Sequence, residues 1–151
     1  MADTTQHTYI IPFRFTVVGS RWLNSAGFSR VSGLSGEVEI MEWRELTDPA
    51  TPRKLPKELV FGDITFERGM TTEKGLRDWW SETQGIIVNG ARTLERETVT
   101  VTAYDRNKSV EATWEIYEAW PRVLKWGDLD ANTSGMLIET LVLANEGVRR
   151  L

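Results

Sequence analysis

Apolar and polar residues alternate through most of the regular stretches of this chain, the period-2 signature of half-buried strands. Residues 9–18 read as a strand with Phe13, Phe15 and Val17 on one face and Arg14 and Thr16 on the other. Pro12 has no N–H, so it marks a strand start, a bulge or an edge. Residues 27–33 fit a short strand with a bend. In residues 36–43, Val38 and Ile40 alternate with Glu37 and Glu39. The pattern then fails over 44–56, which holds three of the five prolines and charges of both signs. This predicts a long loop, of a length that calls for a functional reason. Residues 59–67 resume the strand pattern and close a long-loop hairpin. Residues 97–104 alternate threonine with valine, 105–109 form a turn, and 110–120 form a long strand that ends at Pro121. A polar loop at 128–135 leads to the most apolar strand, 136–144.

One segment has helical spacing instead. In residues 71–84, Leu76, Trp79 and Trp80 fall at i, i+3 and i+4. Thr71 or Thr72 is placed to cap the start, Glu73 lies in the first turn, and Gly85 is a stop signal. A helix this short is marginal in water, so its stripe has to dock on something. The expected fold is mainly β: one domain over residues 1–151, about seven or eight strands with one flanking helix at 71–84. Residues 1–8 are polar and expected to be loosely ordered.

Composition narrows the chemistry. A chain of 151 residues is one domain by length. It has no cysteine, which removes disulfides, thiol nucleophiles and thiolate metal sites. Its one histidine, His7, lies in the polar start, so histidine triads and paired-histidine metal sites are excluded. A net charge of −4 disfavours a nucleic-acid binder. No apolar run approaches the ~20 residues that span a bilayer. The opening residues lack the basic and apolar regions of a signal peptide, so synthesis and folding are expected in the cytosol. The seven tryptophans are spread along the whole chain, as packing residues are, and not clustered into a ligand platform.

Two constellations invite chemistry. Asp128, Asp130, Asn132, Ser134 and Glu139 fit positions of a calcium loop, but Thr133 stands where glycine is needed and neither flank is helical. An Asx-rich turn between strands is the expected reading. Glu37 with Glu39, and Glu111 with Glu115, share strand faces without being placed across a cleft. Nucleotide and nucleophile-elbow glycine motifs are absent. The alternating charges of 92–97 fit a solvated strand edge. No enzyme, metal or cofactor is expected.

The order of elements resembles a known family, the tail tube proteins of contractile phages and phage-tail-like contractile injection systems. GFSRVSGLSGEVE (27–39) is similar to the family's opening strands, and RKLPKELVFGDITFERG (53–69) to its exit from a long loop. Leu76 to Trp80 resembles its flanking helix. EAWPRVLKWGDLDA (118–131) with IETLVLANEG (138–147) is similar to its ending, although Asn145 replaces a common histidine.

The resemblance implies a β-sandwich or small barrel, related in fold to the type VI secretion tube protein. It also implies six copies in a ring, rings stacked into a tube, and sheath, baseplate or spike, and tube-terminating proteins as partners. Made in the cytoplasm, the protein would form part of a phage tail or of a released injection particle, its channel passing cargo or DNA. Within that frame the loop residues Arg44, Glu45, Asp48, Pro49, Pro52, Arg53 and Lys54 are candidates for contacts between subunits or rings. Glu37, Glu39, Thr65, Glu67, Thr98, Thr100, Thr102, Glu111, Thr113 and Glu115 are candidates for the channel wall. Leu76, Trp79 and Trp80 are the docking stripe of the helix. The competing reading is a monomeric β-sandwich that binds a ligand through its tryptophans.

Overall fold

The computed structural model describes residues 9–11, 14–23, 27–47, 50–90 and 93–151. Its strands are β1 (Arg14–Val18), β2 (Arg30–Ser32), β3 (Glu37–Trp43), β4 (Arg53–Val60), β5 (Ile64–Gly69), β6 (Glu97–Tyr104), β7 (Val110–Trp126), β8 (Ile138–Ala144) and β9 (Gly147–Arg150). One helix, α1 (Gly75–Asn89), lies between β5 and β6. Seven strands form an antiparallel sheet in the order β1-β6-β7-β8-β5-β2, with β9 also on β7. Strands β3 and β4 pair only with each other.

The long strand β7 organises the sandwich. Its first half pairs with β6 and β9, and its second half with β8. Between the halves Glu118 takes a left-handed conformation, φ 51°. The register shifts in both pairings close by, between Glu97 and Val99 on β6 and between Pro121 and Val123 on β7. Bulges bend a strand, so this strand turns a corner and carries the sheet around its own core. Pro121 therefore does not end the strand, as its missing donor suggests; it is buried opposite Leu143, beside the bulge that accommodates it.

The alternation decides what goes inside. Ile64 and Phe66 of β5, Val99 and Val101 of β6, Ile116 of β7, and Leu141 and Leu143 of β8 meet in one core with Val17, Leu23 and Phe28. Leu76 and Trp79 complete it from the helix, with Trp22, Trp80 and Trp114 packed around it. Phe28 tilts against Phe66 with ring centroids 5.3 Å apart.

Several boundaries differ from the sequence expectation. The helix spans Gly75–Asn89, not 71–84. Thr71 accepts a hydrogen bond from the Glu73 N–H in a turn ahead of it, so neither residue is in its first turn; Asp78 is. Gly85 is tolerated inside the helix at a cost of about 1 kcal/mol, and the stop falls at Gly90, φ 65°, a left-handed C-cap. The region 44–56 is a loop only in its first part, because β4 begins at Arg53 and pairs back on β3. The single strand expected over 59–67 is accordingly two strands, β4 and β5, broken at residues 61–63. Strand β1 begins at Arg14, and Pro12 and Phe13 lie outside the described residues. Strand β9 is a ninth strand, too short and basic to show an alternation.

Candidate assembly surface

The feature that sets this molecule apart from a self-contained sandwich is the β3–β4 hairpin. Among the described residues it packs on no other strand and not on the helix. Every residue of both strands is exposed. Seven of them are large apolar side chains: Val38, Ile40, Met41, Trp43, Leu55, Leu59 and Val60, each 38–61% exposed. A two-stranded hairpin alone is marginally stable in water, and contiguous exposed apolar surface marks an interaction site. Gly33 supplies the exit from β2: its φ is 93°, and a Cβ there would strike the Asp63 carbonyl.

The hairpin carries most of the expected loop residues. Arg53 and Lys54 open β4, opposite Trp43 and Glu42. Arg44 donates to the Ala50 carbonyl at 2.8 Å and closes the tip. Glu45 and Pro52 lie in the same connection, while Asp48 and Pro49 lie outside the described residues. Glu37 and Glu39 are also here, with Glu39 paired to Lys57 at 3.5 Å. They are therefore on the hairpin and not on the main sheet with the other channel candidates.

Those other candidates fall on the two halves of the main sheet. Thr98, Thr100 and Thr102 alternate with buried Val99 and Val101 and face away from the core. Glu111, Thr113 and Glu115 alternate in the same way with buried Ala112 and Ile116. The register sets Thr16 beside Thr102 and Thr113, and Thr100 beside Glu115 and Arg149. On the other half of the sheet Thr65 and Glu67 face outward opposite Val142 and Thr140. The hydroxyls are thus concentrated on the outer face of the β1-β6-β7-β9 half, while Thr65 and Glu67 belong to the outer face of the other half. Two of the carboxylates have basic neighbours: Glu67 pairs with Arg30 at 3.9 Å, and Glu115 lies opposite Arg149. Glu115 also accepts a hydrogen bond from the Tyr117 hydroxyl, which pushes the phenol's pKa above its ordinary value.

The helix faces the other way, into the core. Leu76 and Trp79 are buried, Trp79 completely, and its indole N–H donates to the Glu95 carbonyl at 3.1 Å. Trp80 packs at the margin of the core. Beyond it, Ile87 and Val88 are 86% and 79% exposed beside a cleft that also involves Trp120.

Two buried polar arrangements have no counterpart in the sequence reading. Arg68, 2% exposed, donates through Nε to Glu139 at 2.9 Å and reaches Glu73 at 3.4 Å. Glu139 also accepts from the Trp126 indole at 3.1 Å. Its inward orientation removes it from the 128–139 calcium pattern, and Asp130 instead caps its own turn at the Asn132 N–H. The second is Glu97, expected on a solvated edge but 4% exposed. Its carboxylate accepts from the Arg21 and Trp22 N–H groups at 2.6 Å each. Burial nonetheless dominates and raises its pKa above the ordinary carboxylate value. The alternation Glu97, Val99, Val101 and the series Ile64, Phe66, Arg68 both carried the signal: each charge sits in phase with buried neighbours. Arg92, the start of the expected edge, lies outside the described residues.

Comparison with known proteins bears on this surface. A family model described as the T4-like virus tail tube protein gp19 matches residues 11–149. No curated protein sequence matches. Among solved structures, the chain is similar to one in the anti-feeding prophage (AFP) baseplate at 24% identity, covering 97% of each chain with a TM-score of 0.78. A chain of the sheath–tube complex of an extracellular contractile injection system, PVC, in its extended state is 23% identical, with 95% of this chain and 92% of that one covered and a TM-score of 0.80. Hcp1 from Flavobacterium johnsoniae is 16% identical over 91% of this chain and 94% of its own, with a TM-score of 0.59. At these identities the likeness is one of fold.

Proposed function

We propose a function that proceeds from kinship: the chain belongs to the T4-like virus tail tube protein family. It is a structural subunit of a tube. In our reading, six copies form a ring, rings stack, and the tube is held by a sheath, a baseplate or spike and a terminating protein. The threonine-rich outer face of the β1-β6-β7-β9 half of the sheet lines the channel, and the hairpin makes the contacts between subunits or rings. The protein is assembled in the cytoplasm and works in a phage tail or a released particle. It catalyses no reaction.

The observation that carries this reading is the hairpin, with seven exposed apolar side chains and no partner element among the described residues of its own chain. Such a hairpin is costly to a monomer and useful to a polymer, because a neighbour that covers it buries apolar surface at about 25 cal/mol per Å². A tryptophan-based binding module finds less support. Trp79 is fully buried, and Trp22, Trp80 and Trp114 are committed to core packing.

Electron microscopy and mass photometry of the purified protein test the reading. Six-subunit rings or tubes are expected. Replacing residues 44–52 with a two-residue turn and removing the paired residues next to it should leave a folded domain that no longer polymerises. A protein that stays monomeric at every concentration, or tubes of normal length from the shortened variant, would overturn it.

A further inference from the structure

The tube reading leaves open which surface of a neighbour receives the hairpin. We propose that the hairpin tip seats on the 127–138 loop of the next copy, head to tail, through an apolar contact flanked by ion pairs. The inference rests on the tube reading and adds the receiving surface to it.

The register of β5 and β8 gives the sandwich two poles. Ile64 lies opposite Leu143 at one end, and Gly69 lies opposite Ile138 at the other. The hairpin leaves from the first pole, since β4 ends at Val60, just before Ile64, and Gly33 packs against Asp63. The 127–138 loop closes the second pole. Gly127 donates to the Ile138 carbonyl at 2.9 Å, and Met70, after β5, donates to the Leu137 carbonyl at 2.7 Å. The root of the hairpin and the receiving surface thus lie at opposite ends of the same strands. A contact between two different surfaces of one chain is heterologous, and between surfaces at opposite ends of the strands it repeats along an axis unless its rotation closes it into a ring.

The two surfaces match in chemistry. At the second pole Leu129 and Met136 are 89% and 74% exposed around an open cleft of about 310 Å³. Trp126 and Ile138 are also exposed there. At the hairpin tip, Met41, Trp43 and Leu55 share one face with Arg53, as the pairing of Met41 with Leu55 and of Trp43 with Arg53 requires. Charges are complementary. Arg53 and Lys54 have no ion-pair partner among the described residues, and neither do Asp128 and Asp130. A further exposed apolar cleft, between α1 and β7, is lined by Trp80, Ile87, Val88 and Trp120 with Arg122 and no carboxylate, so it offers nothing to the basic tip.

The absence of cysteine from the chain makes the test clean. Arg53→Cys and Asp128→Cys are combined in one chain, assembled, and oxidised, since Arg53 shares the face of Met41, Trp43 and Leu55. A reductant-sensitive ladder of covalent multimers is expected from the pair, with no more than dimers from either variant alone. Arg53→Cys combined with Thr98→Cys serves as a control that should give no ladder. In parallel, Arg53→Glu with Lys54→Glu should shorten tubes several-fold. Adding Asp128→Lys and Asp130→Lys should restore their length. Tubes visible by microscopy that give no ladder, or a charge reversal without effect or without rescue, would overturn the proposed contact and leave the tube reading standing. If the unmodified protein forms no rings or tubes, both fall together.

Discussion

Removing Glu139 isolates the energetic weight of the buried ion pair. Arg68 and Glu139 side chains are 3% and 6% exposed and meet at 2.9 Å. Deleting one partner of such a pair leaves an uncompensated buried charge and costs about 3–5 kcal/mol. The second carboxylate near Arg68 does little to soften this. Glu73 is 3.4 Å away with its side chain 47% exposed, so solvent screens it, and Glu73→Ala is expected to cost under ~1 kcal/mol. Glu139→Ala should therefore lower the urea midpoint by about 1.5–2.5 M, taking a slope of about 2 kcal/mol per M. The measurement is urea unfolding at a concentration where mass photometry shows single subunits, because assembly would stabilise the folded form by mass action. The double variant Arg68→Met with Glu139→Leu should recover to within ~1 kcal/mol of the parent, since an apolar pair of similar volume replaces an ion pair at little cost. A midpoint shift under ~0.5 M for Glu139→Ala, or a double variant as unstable as the single one, refutes the assignment.

Three further outcomes are expected. Trp79→Ala should cost about 3–5 kcal/mol in the same assay, and Trp79→Phe, which keeps most of the ring, far less; equal losses would show that the indole N–H and not the packing governs the site. Glu97→Gln should alter the pH dependence of stability. The raised pKa of Glu97 in the folded state means that its stabilising contribution is fully present below the unfolded value of 4.5 and is lost as pH rises through the folded value. The Glu97→Gln variant should therefore gain on the parent as pH climbs from 4.5 toward neutrality, and an unchanged difference between the two curves would contradict the burial argument. Glu111→Lys with Glu115→Lys should leave assembly intact while nucleic acid co-purifies and is released by salt; tubes free of nucleic acid at low salt would argue against a channel position for that face.

The sheet was legible because alternation is a local property. The β6 strand, 97–104, is bounded in the structure as the threonine–valine alternation sets it, with Val99 and Val101 inward. The helix stripe of Leu76 and Trp79 reached the core for the same reason. The departures occur where the wider context overrides a local rule. Gly85 is a stop signal in isolation, but the turn after it keeps the helical backbone and carries the helix to Gly90. Pro121 is a strand breaker in isolation, but a bulge and the facing β8 strand hold it in place. The prolines of 44–56 conceal β4 because an edge strand tolerates Pro56, opposite Ile40, where a central strand would not. The charges at Glu97, Arg68 and Glu139 are invisible to a rule that places charges outside, since each is buried by a partner far away in sequence.

Where the molecule spends its apolar residues separates folding from assembly. The core buries Ile64, Phe66, Leu141 and Leu143 on strands that also satisfy each other's backbone groups, and nothing in that region needs a second chain. The hairpin breaks the same rule on both faces: the pairing puts Val38, Leu59 and Ile40 on one side and Val60, Met41, Leu55 and Trp43 on the other. A strand pair that served only its own subunit would hold one apolar face against the core and one polar face to water. Two apolar faces on a projection that touches no core fit a position between neighbours. The bulge between Glu39 and Ile40, where Lys57 is the extra residue of β4, fits the same position. It sharpens the local twist, which limits unregulated strand addition along an exposed edge. On the proposed reading the side chains of the projection carry the interface chemistry, and the twist works against indiscriminate pairing of its exposed backbone.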